Sequence, residues 1–294
     1  MPQLDLAGPA ALHSEPPTAD RDHSRPGPDP RAAFDQLARL RLLITVKTAP
    51  DPADRHERTV YAAGISADPF RPGWIRLTSL PIHELGPGAA FGTYDIISVD
   101  ARPAAGDPRH ENWRPLPRTL VREHHLKRWQ WRQPWLDPYL GESLCRPRRD
   151  RDAYLDAPAL ILVRPRRVDE LVLVPHPGWT AEQRRRLDGY ALRYDPSGTP
   201  DPGPLRPPRF IGAYRYRCPA YDCDGHQQTI RDWEFVALQH RLAGLPDDRL
   251  RAALTTAFLD RICGPDRDTA FYLGRSSHQP DTYDVLGVYW PPRR

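Results

Sequence analysis

Apolar runs along this chain are separated by breaks rich in proline and charge. The first run, Leu40 to Thr48, is so dense in Leu, Ile and Val that it predicts a buried strand. Val60 to Ser66, Trp74 to Ser79 and Tyr94 to Ala101 follow as strand-length segments fenced by Gly or Pro, and four strands at this spacing predict a β-sheet or small barrel. Residues 32 to 40 read as a short helix ahead of them. Residues 1–31 hold Pro-Pro and Pro-Gly-Pro-Asp-Pro with almost no large apolar side chains, which is too little burial to offset ordering, so a disordered tail is expected.

The second half alternates differently. Leu160 to Val163 and Leu171 to Val174 read as strands joined by the basic Arg164-Pro165-Arg166-Arg167, and Thr180 with Gln183 forms the sequence pattern of a capping box at a helix start. Residues 195–208 hold six prolines and two glycines, the strongest candidate for an exposed loop. Beyond it, Phe210 to Arg217 places Phe210, Tyr214 and Tyr216 on one face and Arg215 and Arg217 on the other, as in a half-buried strand. Helical spacing of Ile230, Trp233, Ala237, Leu238 and Leu242 predicts a helix from about Gln227 to Ala243, and a second is predicted over Asp247 to Cys263. Ala270 to Leu273 and Tyr283 to Trp290 read as closing strands. The parts are thus a β-rich unit over 32–110, a middle part over 111–194, the loop, and a strand-helix-helix unit over 209–294. The fold class expected is α+β.

Composition changes this picture in the middle part only. The formal charge of the 294 residues is +4, but cations cluster there. Arg122, Lys127, Arg128, Arg132, Arg148 and Arg149 interleave with Trp129 and Trp131, and guanidinium groups with indole faces are what a nucleic-acid groove needs for phosphates and bases, so DNA or RNA is the expected partner. The competing reading makes Leu116 to Trp131 an amphipathic helix with core tryptophans and solvated arginines. Of the adjacent His124 and His125, at most one can reach a shared site. No run approaches the length of a membrane span and no signal-peptide pattern opens the chain, so a cytoplasmic protein is expected. Oligomeric state has no sequence signal.

The densest chemistry is Cys218-Pro219-Ala220-Tyr221-Asp222-Cys223-Asp224-Gly225-His226, with Asp232-Trp233-Glu234 close behind. Four cysteines in so long a chain do not make a disulfide framework, and a close Cys/Cys/His set reads first as metal-binding or catalytic. Cys218, Cys223 and His226 suit zinc, with a fourth ligand to come from Cys263, His240, Cys145 or a distant histidine. A second reading is a phosphodiesterase or nuclease using His226 with Asp232 or Glu234, although one regular helix would set those two acids about 200° apart. A third makes Cys218 or Cys223 a nucleophile activated by His226.

Several blocks, Ile44-Thr45-Val46-Lys47-Thr48, Ala63-Gly64-Ile65, Gly73-Trp74-Ile75-Arg76-Leu77, Tyr94-Asp95-Ile96-Ile97, and Cys223-Asp224-Gly225-His226 with Asp232-Trp233-Glu234, resemble an uncharacterised bacterial protein family across residues 40–290. The resemblance implies one folded unit with an important Cys/His knot, and carries no activity. The early strands are also similar in pattern to the small barrels of PUA-like nucleic-acid-binding domains. The sequence thus predicts a nucleic-acid or polyphosphate binder with a zinc-ordered knot. The alternatives are a metal-dependent enzyme and a partner-binding subunit of an assembly.

Overall fold

A computed structural model describes residues 37–49, 59–81, 91–104, 111–141, 143–145, 160–185, 206–275 and 282–293. The tail over 1–31, Arg148, Arg149 and most of the proline-rich loop lie outside these residues.

The first unit is a closed barrel. Strand β1 (Ala38–Lys47) pairs antiparallel with β2 (Thr59–Ser66) on one side and β4 (Asp95–Pro103) on the other. β2 continues to β3 (Trp74–Pro81), β3 runs parallel to the short β5 (Asn112–Pro115), and β5 returns to β4, which completes a ring of five strands. A sixth strand, β6 (Val121–His125), pairs with the first part of β4. Leu40, Leu42, Ile44, Ile75, Leu77, Ile97 and Val99 fill the barrel interior. The neighbouring β1 residues, Leu43 and Val46, are buried outside it against Leu160, Leu162, Tyr272 and Leu286 of the second unit. Because both faces of β1 are covered, its sequence is a continuous apolar run rather than an alternating one. Gly64 is required at the bulge opposite Ile44, where a side chain would meet the Leu43 carbonyl oxygen at 2.0 Å.

The second unit has two sheets and two main helices. One sheet is ordered β11 (His226–Thr229), β10 (Phe210–Arg217), β9 (Arg167–Pro175). The other is ordered β13 (Tyr283–Tyr289), β12 (Ala270–Arg275), β8 (Leu160–Val163), β7 (Leu140–Gly141). Between them, Tyr214 stacks on Phe271 with centroids 4.7 Å apart, and Phe235, Leu250, Leu254 and Phe258 close the core from helices α2 (Trp233–Arg241) and α3 (Asp247–Thr255) with its π-helical extension Thr256–Asp260. Helix α1 (Trp129–Leu136) packs Trp135 and Leu136 into the seam with the barrel. Mixed α+β architecture with a small barrel is therefore the observed fold class.

Three sequence expectations change. Residues 38–40 belong to β1 rather than to a helix, because β4 offers them a pairing edge. Leu116 to Trp131 is not one helix: Pro117–Thr119 is a short 3-10 turn, Val121–His125 is taken up as a strand on the edge of β4, and helix begins only at Trp129. Residues 112–125, read as middle part, thus supply two strands to the barrel sheet. Gln227 to Arg231 is not helical either. His226–Thr229 pairs with the open edge of β10, and Asp232 then caps α2 by accepting from the Glu234 backbone N–H at 2.9 Å. The box at Thr180 and Gln183 forms as expected, with reciprocal bonds of 2.8 and 3.1 Å.

Candidate metal centre

Strand β10 ends at Arg217 and delivers Cys218 into the interior, where it is 1% exposed. The chain then turns, with the Cys223 amide donating to the Ala220 carbonyl at 3.2 Å, and Cys223 comes back beneath Cys218 so that the Cys218 amide donates to the Cys223 sulfur at 3.4 Å. Gly225 reverses the path with φ of +107°, a conformation open to glycine, and the next residue begins β11. His226 faces inward opposite Tyr216, whose ring lies 5.1 Å away and whose hydroxyl donates to Gln228. The local sequence thereby places two thiols and an imidazole on one side of the β10–β11 hairpin.

The fourth donor arrives from the other sheet. After β7, Leu144 is buried in the core and Cys145 is carried to the hairpin. Its sulfur lies 3.3 Å from the Cys218 sulfur and 3.5 Å from His226 Nε2. His226 Nε2 is in turn 3.3 Å from the Cys223 sulfur and 3.5 Å from that of Cys218. All four ligand atoms fall within 4.8 Å of one another. A tetrahedron with bonds of roughly 2.3 Å to sulfur and 2.0–2.1 Å to nitrogen has edges of about 3.8 Å between sulfurs and about 3.5 Å between sulfur and nitrogen. These side chains therefore fit a single metal ion at their centre.

The electrostatics agree. Burial alone would push the Cys218 thiol up, but hydrogen bonds from Ser143, His226, the Ala220 backbone and Cys145 outweigh it and draw Cys218 down to about 5. Burial, with the neighbouring thiols adding to it, pushes Cys145 up to about 12. A packed set of thiols holds one thiolate at the expense of the next, and a cation is what allows all of them to ionise. Ser143 orders the approach: its hydroxyl oxygen accepts from the Cys145 amide at 3.0 Å and lies 3.0 Å from the Cys218 sulfur.

Cys218, Cys223 and His226 are thus brought together as the sequence predicts. Cys145 was one of several possible fourth donors, and a lone cysteine 73 residues away gives no spacing signal by itself. Cys263 lies elsewhere, its thiol donating to the Phe258 carbonyl at 3.6 Å.

Asp232 and Glu234 are not at this centre. Both line a separate cleft with Lys47, and none of the four cluster residues lines it.

The basic, tryptophan-rich residues divide. Arg132 is buried, its guanidinium stacked between Tyr94 at 3.9 Å and Trp129 at 4.5 Å, with Nε donating to the Leu126 carbonyl at 2.6 Å. Trp129 packs edge-on against Tyr94, Tyr289 and Trp290. Arg122 is ion-paired to the buried Asp95 at 2.9 Å. Lys127, Arg128 and Trp131 are exposed, with Arg128 over the Trp131 ring at 5.3 Å. Among the described residues no helix is long and apolar enough to cross a membrane.

A barrel joined to a two-sheet unit that carries a three-cysteine, one-histidine centre defines the class of this protein. Residues 141–294 match the family described as Domain of unknown function (DUF8757), and because this is more than half of the chain, the protein belongs to that family. Residues 38–138 match a second one, Domain of unknown function (DUF8758), so the boundary between the two falls between barrel and centre. No curated protein matches the chain.

Proposed function

We propose that Cys145, Cys218, Cys223 and His226 hold zinc as a structural ion that fastens the two sheets of the second unit, in a cytoplasmic protein that binds nucleic acid along the β6–α1 edge of the barrel. The observation that carries the zinc reading is the arrival of Cys145 from the opposite sheet. It completes a four-donor set of thiolates and imidazole, which is the composition of structural zinc sites, whereas catalytic sites keep a position for water. A thiol-rich centre also suits a reducing compartment. Purified protein should contain one zinc per chain, and Cys223→Ser and His226→Ala should each lose metal and thermal stability. Metal-free protein with unchanged stability in both variants would refute it.

Nucleic acid is favoured by the exposed run Lys127, Arg128 and Trp131, which pairs cations for phosphates with an exposed indole for a base. Titration with single- and double-stranded DNA and RNA across a salt series tests this, since affinity must fall steeply as salt rises. Failure to bind any of them at low salt would refute it. A nuclease using His226 with Asp232 or Glu234 gains no support, because the imidazole points at three sulfurs and the acids open onto the cleft.

A further inference from the structure

The cleft that receives Asp232 and Glu234 has a volume of about 910 Å³ and lies where the barrel meets the helices of the second unit. Its barrel wall includes Thr45 and Lys47 from β1 together with Tyr94. The opposite wall comes from α2, α3, the π-helical turn and the residues that follow them, and its apolar part is Leu238, Leu242, Ala253, Ala257, Phe258 and Ile262. Small-molecule sites occupy roughly 300–1,000 Å³, are mostly apolar with a few placed polar groups, and favour seams between domains. This seam separates the stretches matched by the two families, 38–138 and 141–294.

Charge identifies the kind of molecule. Four cations, Lys47, Arg241, Arg249 and Arg261, line the cleft against two carboxyls. Glu234 is engaged by Arg241 at 3.9 Å. Asp232 is pushed up to about 7 by burial, so it is only partly ionised at neutral pH. The balance is positive. Lys47 is one of two lysines among 42 basic residues, and its ammonium is held at the seam 3.5 Å from the Phe91 carbonyl oxygen and 5.2 Å from the Trp233 ring centre. Arg261 faces the Trp290 ring at 5.9 Å, so an aromatic surface adjoins a guanidinium in the lining.

We propose that this cleft is a binding site for a small organic anion with an apolar or aromatic body, the body lying along α2 and α3 and the anion held by the net positive lining that Lys47 from the barrel and Arg249 and Arg261 from the helices supply. The site is independent of the metal centre. The two acids that the sequence places beside the Cys/His knot line it instead, Asp232 capping the start of α2 and Glu234 lying 3.9 Å from Arg241.

The test uses the full chain and two dyes of similar shape, the anionic 8-anilinonaphthalene-1-sulfonate and the neutral N-phenyl-1-naphthylamine, followed by fluorescence. The expected result is saturable binding of one sulfonate per chain, with the neutral dye weaker by about tenfold or more. Lys47→Met and Arg249→Gln should each weaken the sulfonate about tenfold, and Ala253→Trp, which fills the apolar wall, should abolish binding. Arg249 is exposed, so its variant folds and keeps the test decisive even if Ala253→Trp does not. Equal binding of the two dyes, no saturable binding, or a sulfonate affinity indifferent to both charge removals would overturn the proposal.

Discussion

Cys145→Ser removes the one donor that ties the two sheets together, and its effect should depend on metal. Cys145 and Cys218 are 73 residues apart, and closing a loop of that length in an unfolded chain costs about 4 kcal/mol in the cross-link entropy relation. The native fold has already closed it, so the fourth metal–ligand bond, from the Cys145 sulfur, forms without that loss and its advantage adds to folding stability. Removing it from zinc-loaded protein should therefore destabilise by about 3–4 kcal/mol, or roughly 10 °C in Tm. In protein stripped with a chelator under reducing conditions the same substitution exchanges one half-buried thiol for a hydroxyl and should cost about 1 kcal/mol or less. Thermal melts of wild type and variant, each with zinc and with chelator, give the four values needed. Equal losses in both conditions would refute the reasoning, because Cys145 would then act by packing alone.

The other predictions are independent of that cycle. Gly225→Ala meets no close neighbour, only the Tyr216 carbonyl oxygen at 3.8 Å, but forces alanine to a φ of +107°, so it should destabilise by about 1–3 kcal/mol and weaken zinc affinity in a competition titration. Burial raises the Asp232 carboxyl from 3.8 to about 7, so the folded protein keeps a proton that the unfolded chain releases, and stability is lost as pH rises through that window. Asp232→Asn should flatten this loss while keeping an oxygen to cap α2. Urea melts at the two ends of the window check it, and an unchanged slope would contradict it. Arg128→Ala should lower nucleic-acid affinity and reduce the salt slope by about 1, whereas Trp131→Ala should lower affinity with the slope unchanged.

Strands were legible where burial on a sheet writes itself directly into the pattern, as in the dense apolar run of Leu40 to Thr48 and the alternation of Phe210 to Arg217. Helix was assigned where local spacing was helical but a sheet edge was waiting. Gln227 to Thr229 pairs with β10, and β6 pairs with β4, and neither partner is visible from the segment itself. The three donors of the knot were readable because they lie within nine residues of each other, from Cys218 to His226. Cys145 was one of several candidate fourth donors, and only the packing of the two sheets singles it out. The same packing separates Asp232 from His226 and gives it to the cleft with Lys47, a partner from another unit. Arg132 and Trp129 looked like binding residues by type, yet they stack on Tyr94 and serve the seam.

Zinc-edge X-ray absorption on the purified full chain, with elemental analysis of the same sample, tests the central claim most directly. It should find one zinc per chain bound by three sulfurs at roughly 2.3 Å and one nitrogen at roughly 2.0–2.1 Å, with one sulfur lost in Cys145→Ser. No zinc after purification and zinc addition, or a sulfur count unchanged by Cys145→Ser, would contradict it.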